Sequence, residues 1–139
     1  MRGLLSFPSE VHGERVRLVA YEVARPEVGY AVVRQHDGRR VGTLRAAPEG
    51  DAAVILSLCI DVSDRGYGCG SDAAFAFSSA VADAGFTRLR AWAPGELGLA
   101  VYFWIRCGLR PLFGPGPDEG IWFERVLQAP PPQSARRAG

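Results

Sequence analysis

The chain has 139 residues, of which 47% are hydrophobic and 22% charged, a balance that lets one globular domain bury a core without disulfides or metal. Sixteen arginines, with no lysine, and fifteen acidic residues give a formal net charge of +1, which gives no reason to expect nucleic acid or an anionic membrane as the main partner. The three cysteines lack the CxxC spacing of a zinc site or a disulfide framework. Because no secretory signal and no membrane-spanning stretch are recognised, we expect a cytoplasmic protein without a metal.

The N-terminal half alternates in part between apolar and polar residues, which predicts strands separated by turns. Three strands are expected, at residues 15–21, 29–35 and 41–46. Asp37 and Gly38, between the second and third strands, tolerate the positive φ values of a tight hairpin. Residues 48–51 give a further turn signal before the most apolar run of the chain.

That run, residues 53–62, is nearly continuously apolar, which predicts a central strand covered on both faces. The elements expected after it are a helix at 71–84, a strand at 87–93, a helix at 96–107 and short strands near 110–113 and 120–127. This order predicts an α/β (α+β) domain with a mixed central sheet of about six to seven strands flanked by helices. The domain is expected to span residues 1–127, followed by a disordered tail at 128–139 that contains proline and arginine.

A glycine-rich turn between the apolar strand and the first helix is the segment expected to carry chemistry. It comprises Arg65, Gly66, Tyr67, Gly68, Cys69, Gly70 and Ser71. Glycines let the backbone approach a phosphate closely, and the start of a helix adds unpaired N–H donors and a partial positive charge. Arg65 adds a full charge, so the segment predicts an anion site. It lacks the Gly-Lys-Ser/Thr of a P-loop, and Arg65 stands where the dinucleotide fingerprint needs a glycine.

The run Arg-Gly-Tyr-Gly-Cys-Gly at residues 65–70 resembles the R/Q-x-x-G-x-G/A motif of the GNAT superfamily of acyl-CoA N-acyltransferases. The residues before it, Ile60, Asp61 and Val62, are similar to the Val-Asp-Pro at the end of that family's fourth strand. Residues 100–109 resemble the family's segment N-x-x-A-x-x-hydrophobic-Tyr-x-x-x-Gly-Phe. The resemblance extends from about Gly29 to Leu127 and therefore covers most of the chain.

The resemblance implies a site for acetyl-CoA, or another acyl-CoA, as the cosubstrate, with an amine as acceptor and without a metal. Backbone N–H groups of Gly66 to Ser71 would hold the pyrophosphate. The splayed end of the fourth strand, around Ile60 and Val62, would pair with the pantetheine arm. One N–H group there would polarise the thioester carbonyl while the amine is positioned against it.

Two positions depart from the family's pattern for catalysis. A tyrosine four residues before the family's conserved glycine often protonates the departing thiolate, and that position is Trp104 here, whose indole is a poor acid. Tyr102 is either the acid or an aromatic on another face, since two residues correspond to about 200° around a helix. Glu96 is either a base that contacts the amine or an acidic residue that favours the helix dipole.

The connection at residues 22–28 is too short for the two helices that the family usually carries between its first two strands. We therefore expect an acceptor site that is open, suited to a large acceptor, or completed by a partner subunit. The apolar residues 101–105 favour a homodimer. Three functions stay open at this point: acyl transfer, a GNAT-like enzyme of secondary metabolism with other chemistry, and a module that binds CoA or a partner without catalysis.

Overall fold

A computed structural model describes residues 6–24, 26–93, 98–112 and 121–127. Over these residues one sheet of eight strands has the order β1-β2-β3-β4-β5-β6-β8-β7. The strands are β1 (Glu10–His12), β2 (Val16–Ala24), β3 (Glu27–Arg34), β4 (Arg40–Glu49), β5 (Ala52–Ile60), β6 (Arg88–Ala93), β7 (Arg110–Pro111) and β8 (Ile121–Val126). The helices are α1 (Cys69–Asp83) and α2 (Gly98–Arg106), and a 3₁₀ turn covers Val62–Asp64.

The predicted mixed sheet with flanking helices is confirmed, but the described residues contain one strand more than expected. Strands β1 to β5 are successively antiparallel, β5 and β6 are parallel, and β8 pairs antiparallel with both β6 and β7. The additional strand is β1, which was not predicted. It has only three residues, of which Val11 alone is buried, so it carries no alternation that a sequence pattern could reveal.

The connection between β2 and β3 is as short as the sequence indicated. Pairing of the two strands continues to Ala24 opposite Glu27, which leaves two residues to join them. The pair of helices that the family usually places here therefore does not fit, and the two strands form a simple hairpin.

Both helices pack on the same face of the sheet. The side chain of Phe77, on the buried stripe of α1, contacts the ring of Tyr30 on β3, and Trp104 of α2 joins the same apolar cluster. Gly70, in the first turn of α1, lies within van der Waals distance of the Phe103 ring of α2, where an added Cβ would be 3.6 Å from the nearest ring carbon. The helices are therefore neighbours, and they bury one face of the sheet.

In the part of the chain that the structure describes, no helix covers the opposite face. Charged side chains form cross-strand ion pairs there: Arg90 with Glu49 and Glu124, Arg88 with Asp51 and Glu124, and Arg45 with Glu27. Trp92 and Trp122 pack against each other beside these pairs, with ring centroids 5.2 Å apart. Because these ion pairs make the face polar, it can remain exposed to water, whereas an apolar face would have to be buried by a helix or a partner.

Several predicted boundaries need correction, of which those around β4 and β5 matter most for the site. Strand β4 continues through Pro48 to Glu49, so the second turn is confined to Gly50 and Asp51. The strand predicted at 53–62 ends at Ile60, and only its first half, Ala52 to Ile55, is buried on both sides. Its second half is partly exposed because it loses its neighbour on one side. The predicted tail at 128–139 and Glu96 lie outside the described residues.

Candidate functional site

The site begins where two parallel strands separate. Pairing between β5 and β6 ends at Ile55 opposite Ala91. Beyond this point β5 continues along β4 as far as Ile60, whereas β6 continues along β8. Leu56 has no residue opposite it on β4, because Arg45 pairs with Ser57 and the next residue of β4 pairs with Ile55. This bulge bends β5 away from β6 and opens a wedge in the sheet.

A cavity of about 590 Å³, called the cleft below, extends from this wedge to the glycine-rich turn. Its strand side is formed by Leu58, Cys59 and Ile60, and α2 contributes the rings of Phe103 and Trp104. Trp104 is only 5% exposed and packs edge-on against Phe103. The cleft therefore has mainly apolar walls and unpaired strand backbone along one side, which suits a narrow, flexible ligand with amide groups.

The glycine-rich turn closes one end of the cleft. Gly66 and Gly68 adopt positive φ values of 89° and 83°, a conformation that places successive N–H groups on the concave side of a turn. Gly68 is the residue before α1, and no described side chain caps the helix. The first N–H groups of α1 therefore lack partners within the helix, and they carry the positive end of its dipole. The turn has the properties of an anion site.

Two arginine–backbone contacts hold this turn in shape. The Nε of Arg65 donates a hydrogen bond of 2.7 Å to the carbonyl of Ile60, the last residue of β5. An Nη1 atom of Arg15 donates a hydrogen bond of 3.0 Å to the carbonyl of Tyr67. The turn is thus tied to both β5 and the start of β2, and one guanidinium lies on each side of it.

A buried carboxylate fixes the start of the turn. Asp64 is 4% exposed, and its two oxygens accept hydrogen bonds from Arg34 at 3.3 Å and Arg39 at 3.2 Å. These arginines flank the β3–β4 hairpin turn, where Arg34 also pairs with Asp37 at 2.6 Å. This ion pair and hydrogen bond lower the pKa of Asp37 far below its ordinary value. Asp64 therefore joins the segment before the glycine-rich turn to the β3–β4 hairpin.

The residues predicted for the cofactor are largely brought together. Those that line the cleft are Ile60, Arg65, Gly66, Gly68, Cys69, Gly70 and Ser71. Tyr67 projects to the other side of the turn, where it borders two further cavities. Val62 does not line the cleft. It belongs to the 3₁₀ turn, not to β5, and is 76% exposed.

The catalytic candidates are less well placed. Tyr102 is 60% exposed and absent from the walls of the cleft, and its ring instead lies 5.7 Å from the guanidinium of Arg106. Trp104, at the position where the sequence resemblance leads one to expect a tyrosine, lines the cleft. Sequence reasoning missed Arg15, Asp72 and the cleft-facing role of Phe103, since these depend on contacts between distant segments. No group of three histidine, cysteine or acidic side chains that could hold a metal occurs among residues 6–24, 26–93, 98–112 and 121–127.

The described residues combine an antiparallel half-sheet, a splayed parallel strand pair and a glycine-rich turn at a helix start. This arrangement fits the fold of the acyl-CoA N-acyltransferases that the sequence resembles. No family model matches the sequence, and no curated protein matches it. Solved structures do match. An acetyltransferase from Thermus thermophilus shares 26% identity at a TM-score of 0.65, covering 76% of this chain and 67% of that chain.

Two other solved structures give the same architecture. RimL, a ribosomal L7/L12 α-N-protein acetyltransferase in complex with coenzyme A, shares 18% identity at a TM-score of 0.66, over 75% of this chain and 64% of that chain. An acetyltransferase of the GNAT family from Staphylococcus aureus shares 14% identity at a TM-score of 0.61, over 74% of this chain and 69% of that chain. The chain therefore has the same fold as these acetyltransferases.

Proposed function

We propose that this protein is an acyl-CoA-dependent N-acyltransferase that transfers an acetyl group to an amine. The observation that carries the proposal is the continuous path from the wedge between β5 and β6, through the apolar cleft, to the uncapped start of α1. Three chemically different parts of an acyl-CoA fit this path in order: the thioester at the wedge, the pantetheine arm in the cleft and the pyrophosphate at the turn. The coenzyme A complex of RimL, whose fold this chain shares, supports the same ligand.

The proposed reaction needs positioning more than side-chain chemistry. An amine attacks the thioester carbonyl to form an amide bond, the carbon–sulfur bond breaks and the nitrogen loses a proton. CoA leaves as a thiolate that takes up a proton. Strand backbone freed by the bulge at Leu56 would offer an N–H group to the carbonyl oxygen, which gains negative charge as the amine attacks. Small acyl groups suit a wedge walled by Leu58 and Trp104, and this is why we propose acetyl.

Amine delivery is proposed to occur from the open face of the sheet. The hairpin of β2 and β3 replaces the family's usual helices, so the described residues leave the wedge accessible to a large acceptor such as a protein terminus. The rest of the wall could come from a second copy of the chain. Tyr102 and Ile105, both exposed on α2, are the apolar residues proposed for such a homodimer. Sedimentation analysis over a range of protein concentrations tests this part.

Proton transfer requires a base for the amine and an acid for the thiolate. Glu96 is proposed as the base, but it lies outside the described residues, and Tyr102 would reach the thiolate only if α2 turned. The substitution Trp104→Tyr places a phenol at the cleft wall, with Trp104→Phe as the control that lacks it. If thiolate protonation limits the rate, Trp104→Tyr should raise turnover, since a positioned acid contributes about 10²-fold or more, while Trp104→Phe should not.

The main test is calorimetric titration with acetyl-CoA and CoA, followed by thiol release in the presence of amines, including peptides with free N-termini. Binding that is lost in an Arg65→Ala, Gly68→Val double variant, with thiol release dependent on the amine, supports the proposal. Binding without release for any amine would favour the alternative of a CoA-binding module or a GNAT-like enzyme with other chemistry. This alternative is retained because Trp104, whose indole is a poor acid, stands where a proton-donating tyrosine is expected. No CoA binding would overturn both. The cytoplasm, where acetyl-CoA is available, is the proposed location.

A further inference from the structure

The glycine-rich turn borders a second cavity besides the cleft. This outer cavity of about 560 Å³ is lined by Arg15, Tyr67, Asp72, Phe75 and three residues of the turn. Those three, Gly66, Gly68 and Ser71, line the cleft as well. A ligand whose pyrophosphate lies on the turn can therefore extend from the apolar cleft into the outer cavity, which is bordered by charged side chains and two aromatic rings.

The outer cavity contains a guanidinium with spare donors. Arg15 uses one Nη1 hydrogen bond, to the carbonyl of Tyr67. Among the ion pairs formed by the described residues, none includes Arg15. An arginine has five N–H donors in a planar fork that matches the oxygens of a phosphate. The exposed rings of Tyr67 and Phe75 border the same cavity and offer flat apolar surfaces.

Arg15 is held in this position by Asp72 in the first turn of α1. The carboxylate accepts backbone N–H bonds from Glu14 at 3.2 Å, Arg15 at 2.8 Å and Val16 at 2.9 Å. The chain wraps the carboxylate so tightly that a Cβ on Gly13 would lie 2.5 Å from its Oδ2. Because Asp72 binds backbone N–H groups and not the guanidinium, it positions Arg15 without neutralising it.

We propose that Arg15 binds the 3′-phosphate of the acyl-CoA, so that the outer cavity holds the nucleotide end of the ligand, and that Asp72 is the positioning residue. This inference rests on the proposed function. The pyrophosphate meets the N–H groups of the turn, with Arg65 on the cleft side. The remaining phosphate belongs to the nucleotide, which continues to the far side of the turn, where Arg15 is the cation. Phe75 and Tyr67 are the surfaces on which the adenine stacks.

The test compares CoA with dephospho-CoA, which differs only in lacking the 3′-phosphate. Calorimetry on the full chain measures both ligands with the wild type, Arg15→Gln and, as the matched control, Arg65→Gln. The wild type should bind CoA about tenfold or more tightly than dephospho-CoA, the size of one charge-assisted contact. Arg15→Gln should abolish this preference. Because it also removes the hydrogen bond to the carbonyl of Tyr67, it should weaken dephospho-CoA binding as well, but by less than it weakens CoA binding. Arg65→Gln should weaken both ligands alike and keep the preference.

Asp72→Asn tests the positioning role, and Arg15→Lys tests the need for the planar fork. Both should lower the CoA preference only in part, and by less than Arg15→Gln does. The ratio of the two affinities is independent of the fraction of folded protein, so a loss of stability cannot imitate this result. A wild type that binds both ligands equally, or an Arg15→Gln variant that weakens both equally, would overturn the inference while leaving the proposed function intact. A wild type that binds neither ligand overturns both.

Discussion

Glycine-to-alanine substitutions in and near the turn can distinguish a loss of stability caused by backbone strain from a loss of CoA affinity. Gly68 has a φ of 83°, and a Cβ added there would lie 3.6 Å from Arg15, which is an ordinary contact. The Gly68→Ala penalty should therefore come from the left-handed backbone alone and amount to about 1–2 kcal/mol of unfolding free energy. The same strain distorts the N–H groups of the turn, so we expect CoA affinity to fall about tenfold.

Two other glycines provide matched controls. Gly38, in the β3–β4 turn, has a φ of 71° and nothing within 4 Å of an added Cβ, so Gly38→Ala should cost similar stability and leave CoA binding unchanged. Gly70 is helical, and its added Cβ would contact Ile60 at 3.4 Å and Phe103 at 3.6 Å on the wall of the cleft. Gly70→Ala should keep or raise stability, because alanine is favoured over glycine in helices by about 1 kcal/mol. It should nevertheless weaken CoA binding by narrowing the cleft.

Urea unfolding measures the stabilities of the three variants, and calorimetry with CoA measures their affinities. The expected pattern is loss of both quantities for Gly68→Ala, of stability alone for Gly38→Ala and of affinity alone for Gly70→Ala. If Gly68→Ala bound CoA like the wild type while losing stability, the turn would not be the phosphate site. If Gly38→Ala also lost CoA binding, the effect of Gly68→Ala would reflect general instability.

Three further outcomes are expected. Asp64→Ala should lower the unfolding free energy by roughly 2–3 kcal/mol, because it leaves two arginines without their buried partner; a loss below about 0.5 kcal/mol in urea unfolding would show that this carboxylate contributes little. Exposed Cys59 should react with a thiol reagent at pH 8, whereas Cys107 should not, because burial raises the pKa of its thiol to about 11; equal rates would contradict the described burial. The lowered pKa of Asp37 means that its contribution to stability is present above its ordinary pKa of 3.8 and is lost as the pH falls through the lower folded-state value. Asp37→Asn should therefore flatten the decline of unfolding free energy in acid. An unchanged profile of unfolding free energy against pH would contradict the pairing with Arg34.

The order of elements could be predicted from sequence because it is encoded locally. Apolar runs with period two or 3.6 indicate strands and helices, and Asp37-Gly38 and Gly85 mark where they end. The residues of the candidate anion site could also be proposed from sequence, since such a turn is built from consecutive residues. The shortness of the segment at 22–28 likewise determined that two family helices are missing.

Only the tertiary structure decided which distant groups meet at that site. The wedge depends on a one-residue bulge at Leu56, which is a mismatch between two strands and leaves no mark on either sequence. Arg15 reaches the turn because a carboxylate 57 residues later in the chain binds its backbone, and such a contact has no local pattern. Whether Trp104 or Tyr102 faces the cleft depends on the rotation of α2 against the sheet. The sequence by itself determined the glycine-rich turn and its place between strand and helix. Long-range packing decided what surrounds the turn, because strand register and helix rotation are properties of contacts between segments and not of any one segment.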